Sequence, residues 1–496
     1  MQRRSFVTSA VSALTTAAIA PWRNVLAATD SAGDVPVTGA TGKQLVLKPS
    51  DLDDLRGSLR GSLLVPGQEG YDAARKVWNG AFDRRPAVIV RVAGGADIRR
   101  AVQFARANNL VVAVRGGGHS LSGQSASEGG LLIDLSQLKS VNVDPLAQRA
   151  RVESGVLLGH YDKEAQAFGL ASTAGTVSHT GVAGLTLGGG FGRIARKYAL
   201  ACDNLIGAEL ITADGNFVKV SEEENANLLW GLRGGGGNFG VVTSFEYRLH
   251  KVDPIMHGGS YVLPFANGRQ LLRAYADFIG GASDEMYAGL AIVPTPNGRL
   301  AVLDVCHCGT KAAAEKEIAQ LRKLGKPLQD GLAPTPYVTL QNRDDANFPH
   351  GRGYYIKSGF VRTLTPKVID TVVDFLDANP LPTGIVNIVH QGGAIARVKP
   401  DATAFWNRSA EHSVMLIGFW DDPKAGAAPM QWVRTGWKGV EPLTDGFYIN
   451  EVSNEDPAHR IQENYGGNYA RLASLKKRYD PTNVFHMNAN IRPEAA

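Results

Sequence analysis

Residues 111–134 read VVAVRGGGHSLSGQSASEGGLLID, with two apolar runs suited to strands, 110–114 and 131–135, enclosing Arg115-Gly116-Gly117-Gly118-His119-Ser120. Three successive glycines remove Cβ from the turn, so backbone N–H groups can close around an anion. His119 follows directly and is the strong nucleophile of the segment. A diphosphate cradle beside a nucleophilic imidazole points to a nucleotide cofactor, and such a ring can also hold one covalently. The plainer alternative is a glycine-rich hairpin turn carrying a solvated histidine.

Upstream, 86–92 reads as a strand and 97–108 as a helix, with apolar residues at Ile98, Val102 and Ala105. With 110–114 they make a βαβ unit, which delivers the glycine turn at a strand's carboxyl end, where ligands of such sheets bind. Downstream, 131–135, 140–143 and 149–156 alternate as strands do, and 157–168 reads as a helix stopped by Gly169. A second glycine cluster spans Gly175 to Gly192. It has neither the G-x-x-x-x-G-K-[ST] of a P-loop nor a G-x-G-x-x-G after a strand, which disfavours a nicotinamide site. Glycine strings of this length carry a high backbone entropy cost, so close approach of backbone to a pyrophosphate and a flat ring is the better reason for them.

The chain has 496 residues, more than one core accommodates, so two domains are expected. A net charge of +5 from 52 basic and 47 acidic residues, without a basic run interleaved with aromatics, argues against nucleic acid. Cys202, Cys306 and Cys308 are too few and too unevenly placed for a disulfide framework. Cys306-His307-Cys308 lacks a second ligand pair, so no metal site is expected. Arg3-Arg4-Ser5-Phe6-Val7, an apolar stretch over 8–22 and Ala27-Ala28 have the build of a twin-arginine export leader. That predicts a periplasmic or secreted protein, and the apolar run is too short for a membrane span.

Arg115–Ser120 resembles the R-G-G-G-H-S signature of the berberine-bridge-enzyme-like flavoproteins, in the vanillyl-alcohol-oxidase superfamily. The 175–192 cluster is similar to that family's G-T-C-P-T-V-G-V-G-G-L-T-L-G-G-G. Leu200–Leu205, Leu232–Thr243, Tyr448-Ile449-Asn450 and the stretch from Tyr465 to Ile491 continue the resemblance in order. It implies an α+β chain with a PCMH-type FAD-binding domain at 84–254 and a substrate domain at 255–445, an antiparallel sheet backed by helices. Before these lie the leader at 1–28 and a linker with short helices at 29–83. The segment 446–493 is expected to pack back on the FAD domain.

The resemblance implies FAD joined through a ring nitrogen of His119. Some members add a second bond from a cysteine, but Val177 holds that place here, so one link is expected. Flavin contacts are implied for Arg115, Gly116, Gly117, Gly118, His119, Ser120, Gly123, Gln124 and Asp134 in the first cluster. In the second they are implied for Gly175, Thr176, Val177, Thr180, Gly181, Gly184, Leu185, Gly189, Gly190 and Gly192. Asn204, Gly240, Val241, Val242, Asn488, Tyr448 and Asn450 complete the set. Thr180 is expected near the flavin's reactive edge. Read as a strand, 446–450 places Tyr448 and Asn450 on one face. Tyr448 is the candidate base, and Asn450 is expected to orient either Tyr448 or the flavin edge. A tyrosine with an ordinary pKa near 10 needs a cation or donors to act so. Lys357, Arg408 and His390 are the candidates to supply the charge. Tyr354, Tyr355, Trp406 and Phe419 are candidate pocket aromatics.

The expected activity is oxidation of an alcohol, phenolic, sugar or related small molecule, with hydride passing to flavin N5 and O2 reduced to H2O2. A dehydrogenase of the same fold serving a quinone or cytochrome is the alternative, and a non-catalytic binding protein on a flavin fold a third reading.

Overall fold

The computed structural model describes residues 33–494; the leader lies outside them. Three large sheets, beside two two-stranded ones, organise the described residues. The βαβ reading is met by the strand Val88–Arg91, the helix Gly95–Ala107 and the strand Val112–Arg115. These two strands are not neighbours, however. Leu131–Asp134 runs parallel to both and lies between them, pairing Val88 to Leu131 on one side and Val112 to Leu131 on the other. The segment around His119 is therefore a crossover between parallel strands, and the hairpin alternative falls. Ser62–Leu64 pairs antiparallel to Val88–Arg91 and completes this four-stranded sheet. Ile98, Ala101 and Val102 of the helix are fully buried against it, since they recur on one helical face.

A five-stranded antiparallel sheet follows, ordered Phe217–Val220, Leu205–Ile211, Val241–Arg248, Arg149–Glu153, Val141–Asp144. The helix Leu158–Gln166 is followed by Gly169 at φ +66°, the left-handed stop that the sequence implied.

The third sheet has eight antiparallel strands. Helices Gly268–Gly280, Pro366–Ala378 and Ala427–Val440 cover one face. The period of two is plain along Met286–Thr295: Met286, Ala288, Leu290 and Ile292 pack under the helices, and Tyr287, Gly289, Ala291 and Val293 face the opposite way. The same holds where Val386 and Ile388 alternate with Ile385, Asn387 and Val389. One face is thus a core and the other a cavity wall. This is the two-domain α+β architecture expected from the sequence.

The carboxyl-terminal segment closes back on the first domain. Lys476, wholly buried, donates from Nζ to Asn238 O and Phe485 O at 2.8 Å and to Asp480 Oδ2 at 2.6 Å. Asn238 in turn accepts from Ile491 N at 3.0 Å and donates to Ala489 O at 3.2 Å. The tail so fixes the glycine loop 234–240.

Candidate functional site

A cavity of about 1050 Å³ runs from the two glycine clusters to the open face of the eight-stranded sheet. Its first half is backbone-rich. Among the described residues, no protein acceptor engages the N–H groups of Gly117, Gly118, His119 and Ser120. Unpaired backbone donors of this kind call for an anionic partner. Gly117 meets Gly181 back to back, so a Cβ on either would overlap the other's backbone. Glycine here serves close approach. At Gly118, φ +71° is the further reason.

His119 stacks on Trp78 at 4.5 Å between ring centroids, and Trp78 stacks on Tyr354 at 4.3 Å. His119 Nε2 hydrogen-bonds His179 Nδ1 at 2.7 Å. Burial, then the neighbouring His179 and His350, hold the His119 imidazole well below its ordinary pKa. It is a neutral nucleophile with a hydrogen-bonding partner for its proton. Nitrogens of His119, His179 and His350 lie within 4.8 Å of one another, a grouping of donors whose sequence separation gives no signal.

Of the predicted flavin residues, Gly116 to Ser120, Gln124, Gly175 to Val177, Thr180, Gly181, Gly184, Leu185, Gly192, Gly240 to Val242, Tyr448, Asn450 and Asn488 line the cavity. Six do not. Arg115 lies opposite Asp134 in the parallel pair and donates to Ala74 O, and buried Asp134 serves Arg91 and the Ser136 N–H. Gly123 packs on Phe82, and Gly189 on Phe405. Gly190 acts one layer back through its N–H. Asn204 is buried elsewhere, donating to Tyr198 O and Leu200 O and bonded to His250 at 2.7 Å, because its amide closes a local turn.

The strand reading of 446–450 is also corrected: Tyr448 caps a 3-10 turn, Ile449–Glu451. Tyr448 and Asn450 still meet. Asn450 Nδ2 donates to Leu185 O at 3.1 Å and to Tyr448 Oη at 2.7 Å, and Gly190 N–H donates to the same Oη at 3.0 Å. The phenol therefore accepts two hydrogen bonds and keeps its own proton for the cavity. Burial raises its pKa, outweighing the Asn450 and Gly190 donors that favour phenolate. None of the three candidate cations reaches it. Lys357 Nζ holds Asp456 at 2.7 Å, Arg408 holds Asp203 through two 2.7 Å bonds, and His390 Nδ1 accepts from Ala288 N at 3.4 Å. Tyr448 is thus a protonated, oriented hydrogen-bond donor.

Sequence reading missed Glu451. On a strand it would face away from Tyr448, but the 3-10 turn folds it back, its N–H donating to Tyr448 O at 2.8 Å. Its side chain lines the cavity, and burial raises the carboxyl to about 7, with the Ser358 hydroxyl opposing. Tyr354 and Phe419 line the cavity, whereas Tyr355 bonds Glu455 and Trp406 packs on Gly466. Cys306 lies against Met256 Sδ at 3.3 Å, and burial pushes both Cys306 and Cys308 thiols up.

Comparison with known proteins converges on one family. Residues 86–221 match the FAD binding domain model and 447–492 the berberine and berberine-like model. An FAD-linked oxidoreductase of Dictyostelium discoideum is 32% identical across 88% of this chain and 95% of its own length. (R)-6-hydroxynicotine oxidase of Paenarthrobacter nicotinovorans is 31% identical across 88% and 98%. The crystal structure of 6-hydroxy-D-nicotine oxidase from Arthrobacter nicotinovorans superposes with a TM-score of 0.81 at 31% identity, covering 88% of this chain and 99% of that one.

Proposed function

We infer the activity from a fixed premise: the chain belongs to the berberine-bridge-like family of FAD-linked oxidoreductases. It is an FAD-dependent oxidoreductase acting on a small molecule and passing electrons to an acceptor. The residues fit the cofactor. Free N–H groups at Gly117–Ser120 suit its diphosphate, and the glycine pair Gly117 and Gly181 lets the two cavity-lining loops meet backbone to backbone, where a Cβ on either would force them apart.

Our reading goes further in three respects. FAD is attached once, to His119. The neutral, His179-bonded imidazole supports this, and Val177, which also lines the cavity, offers no thiol for a second bond. The substrate is a ring-bearing alcohol, phenol, amine or related molecule; the apolar sheet wall of Ala291, Val293, Ile385, Met415 and Phe419 supports this, as does the relative named for 6-hydroxynicotine. The acceptor is O2, giving H2O2, in line with the oxidases among the relatives. When bound, the flavin supplies the two-electron acceptor for hydride. The chain's part is to orient. Tyr448 donates its hydrogen bond to a heteroatom of the substrate, and Asn450 and Gly190 fix the phenol's direction. Gln124 and Asn488, joined at 3.3 Å, tie the first loop to the tail around the cofactor. The leader supports a further proposal, that the folded protein is exported to the periplasm or medium, which fractionation of expressing cells tests.

The observation that carries the reading is His119, a neutral imidazole on the cavity wall beside unpaired backbone donors. On a denaturing gel under ultraviolet light, flavin fluorescence should stay with the polypeptide and vanish in His119→Ala. Fluorescence surviving in that variant, or acid-extractable flavin in the parent, defeats the linkage.

A further inference from the structure

The charges around the substrate half are almost all matched. Arg343 donates to Asp304, Arg193 to Asp304 and Asp344, and Arg352 to Asp421 at 2.8 Å. Lys357, beside this wall, is engaged by Asp456. Glu451 is the exception. Among the described residues Glu451 enters no ion pair, and its Oε2, shielded from water, has no hydrogen bond of good geometry, although the Ser358 hydroxyl, itself unbonded, is its neighbour. Much of the cavity's sheet wall is apolar, with Ile356, Met415, Ile417 and Phe419 among its lining.

We propose that Glu451 is the cation seat of this cavity, binding an ammonium group carried on an apolar, ring-bearing body. The inference rests on the cavity's being the substrate half of a flavin oxidoreductase. A carboxylate without a counter-ion in a poorly solvated site is costly, and a group so placed either holds a proton or acquires a cationic partner. An ammonium ligand meets both requirements at once: it supplies the charge the protein omits, and pairs with the carboxylate from the cavity, on which Glu451 is only part-buried. Attraction between the two is strong because apolar walls exclude water. The 3-10 turn then does the positioning. A ligand held at Glu451 shares the cavity with Tyr448, whose hydroxyl proton is free for a second hydrogen bond. A neutral ligand of the same shape gains the apolar contacts but leaves Glu451 uncompensated.

The test is calorimetric titration of the purified holoenzyme with 2-naphthylmethylamine and its uncharged counterpart 2-naphthalenemethanol, at mildly alkaline pH. The amine should bind at least about tenfold tighter than the alcohol. Glu451→Gln should remove that preference by weakening the amine alone, and Glu451→Asp, which keeps the charge, should retain it. Equal affinities, an amine affinity unmoved in Glu451→Gln, or no heat with either compound would overturn the proposal. Flavin content of each sample, read separately from its visible absorbance, reports on the flavin assignment independently: a colourless protein defeats that, whereas a yellow protein without amine preference defeats only the cation seat.

Discussion

Gly117 and Gly181 offer the sharpest mechanical test of the cofactor cradle. Neither has the positive φ that strains an alanine, so an added methyl acts through overlap alone. A Cβ on Gly117 would fall on Gly181 Cα and N, with Leu157 Cδ2 at 3.3 Å; one on Gly181 would fall on Gly117 N and Cα. Backbone cannot rotate out of the way as a side chain does. The two loops must part until the contact reaches the 3.4 Å of ordinary packing. Overpacking of this kind costs about 1–3 kcal/mol. For a domain of this size that is a fall in melting temperature of roughly 4–8 °C at about 2 kcal/mol. Because both methyls need the same separation, the double variant should lose clearly less than the sum, with a coupling of about 1 kcal/mol or more. Tryptophan fluorescence during heating reads stability, and visible absorbance reads flavin loading, which should fall in both single variants. Gly57→Ala, at the end of the helix Pro49–Gly57 and outside the cavity lining, is the control, since a Cβ there meets no atom within 4 Å; its melting temperature should be unchanged or slightly higher. Strict additivity of the two alanines, or full stability and flavin in either single variant, would refute the back-to-back reading.

Two further outcomes follow from buried charge. Lys476→Met removes the cation that joins Asp480, Asn238 and Phe485, and should cost about 3–5 kcal/mol with weakened flavin retention, as measured by denaturant midpoint and flavin content; a midpoint equal to the parent's would sink the clamp. Asp162, buried and bonded by Gln341 Nε2 at 3.2 Å, has its carboxyl raised by burial to about 7. The folded protein thus holds this proton more tightly than the unfolded chain, so ionisation erodes stability as pH rises from about 4 to about 7, by roughly 1.4 kcal/mol per unit at most. Melting curves for Asp162→Asn should show a shallower decline over that window, and an identical pH profile would remove Asp162 as its source.

Much of this protein was set by local sequence. Glycines 116–118 dictate a turn without Cβ atoms, and His119 directly after them must lie at its rim. The apolar run 131–135 and the helical spacing of Ile98, Val102 and Ala105 fix elements through neighbours in the chain, and these elements are where they were expected. The long-range arrangement was another matter. Leu131–Asp134 enters between two strands it follows in sequence, because parallel pairing on both sides buries an apolar strand completely. His119, His179 and His350 meet only when loops of two domains converge. Both faces of Met286–Thr295 are apolar, so hydropathy could not separate the helix-covered face from the cavity wall; the docking of helices did. Tyr448-Ile449-Asn450-Glu451 alternates like a strand, yet anchoring of Asn450 to Leu185 O and of Tyr448 to Gly190 N–H winds it into a 3-10 turn. That winding brings an unpaired carboxylate to the tyrosine. Sequence determines which chemical groups the chain can offer and the local turns that present them; which groups share a cavity is decided by contacts between distant segments, whose energies no short stretch contains.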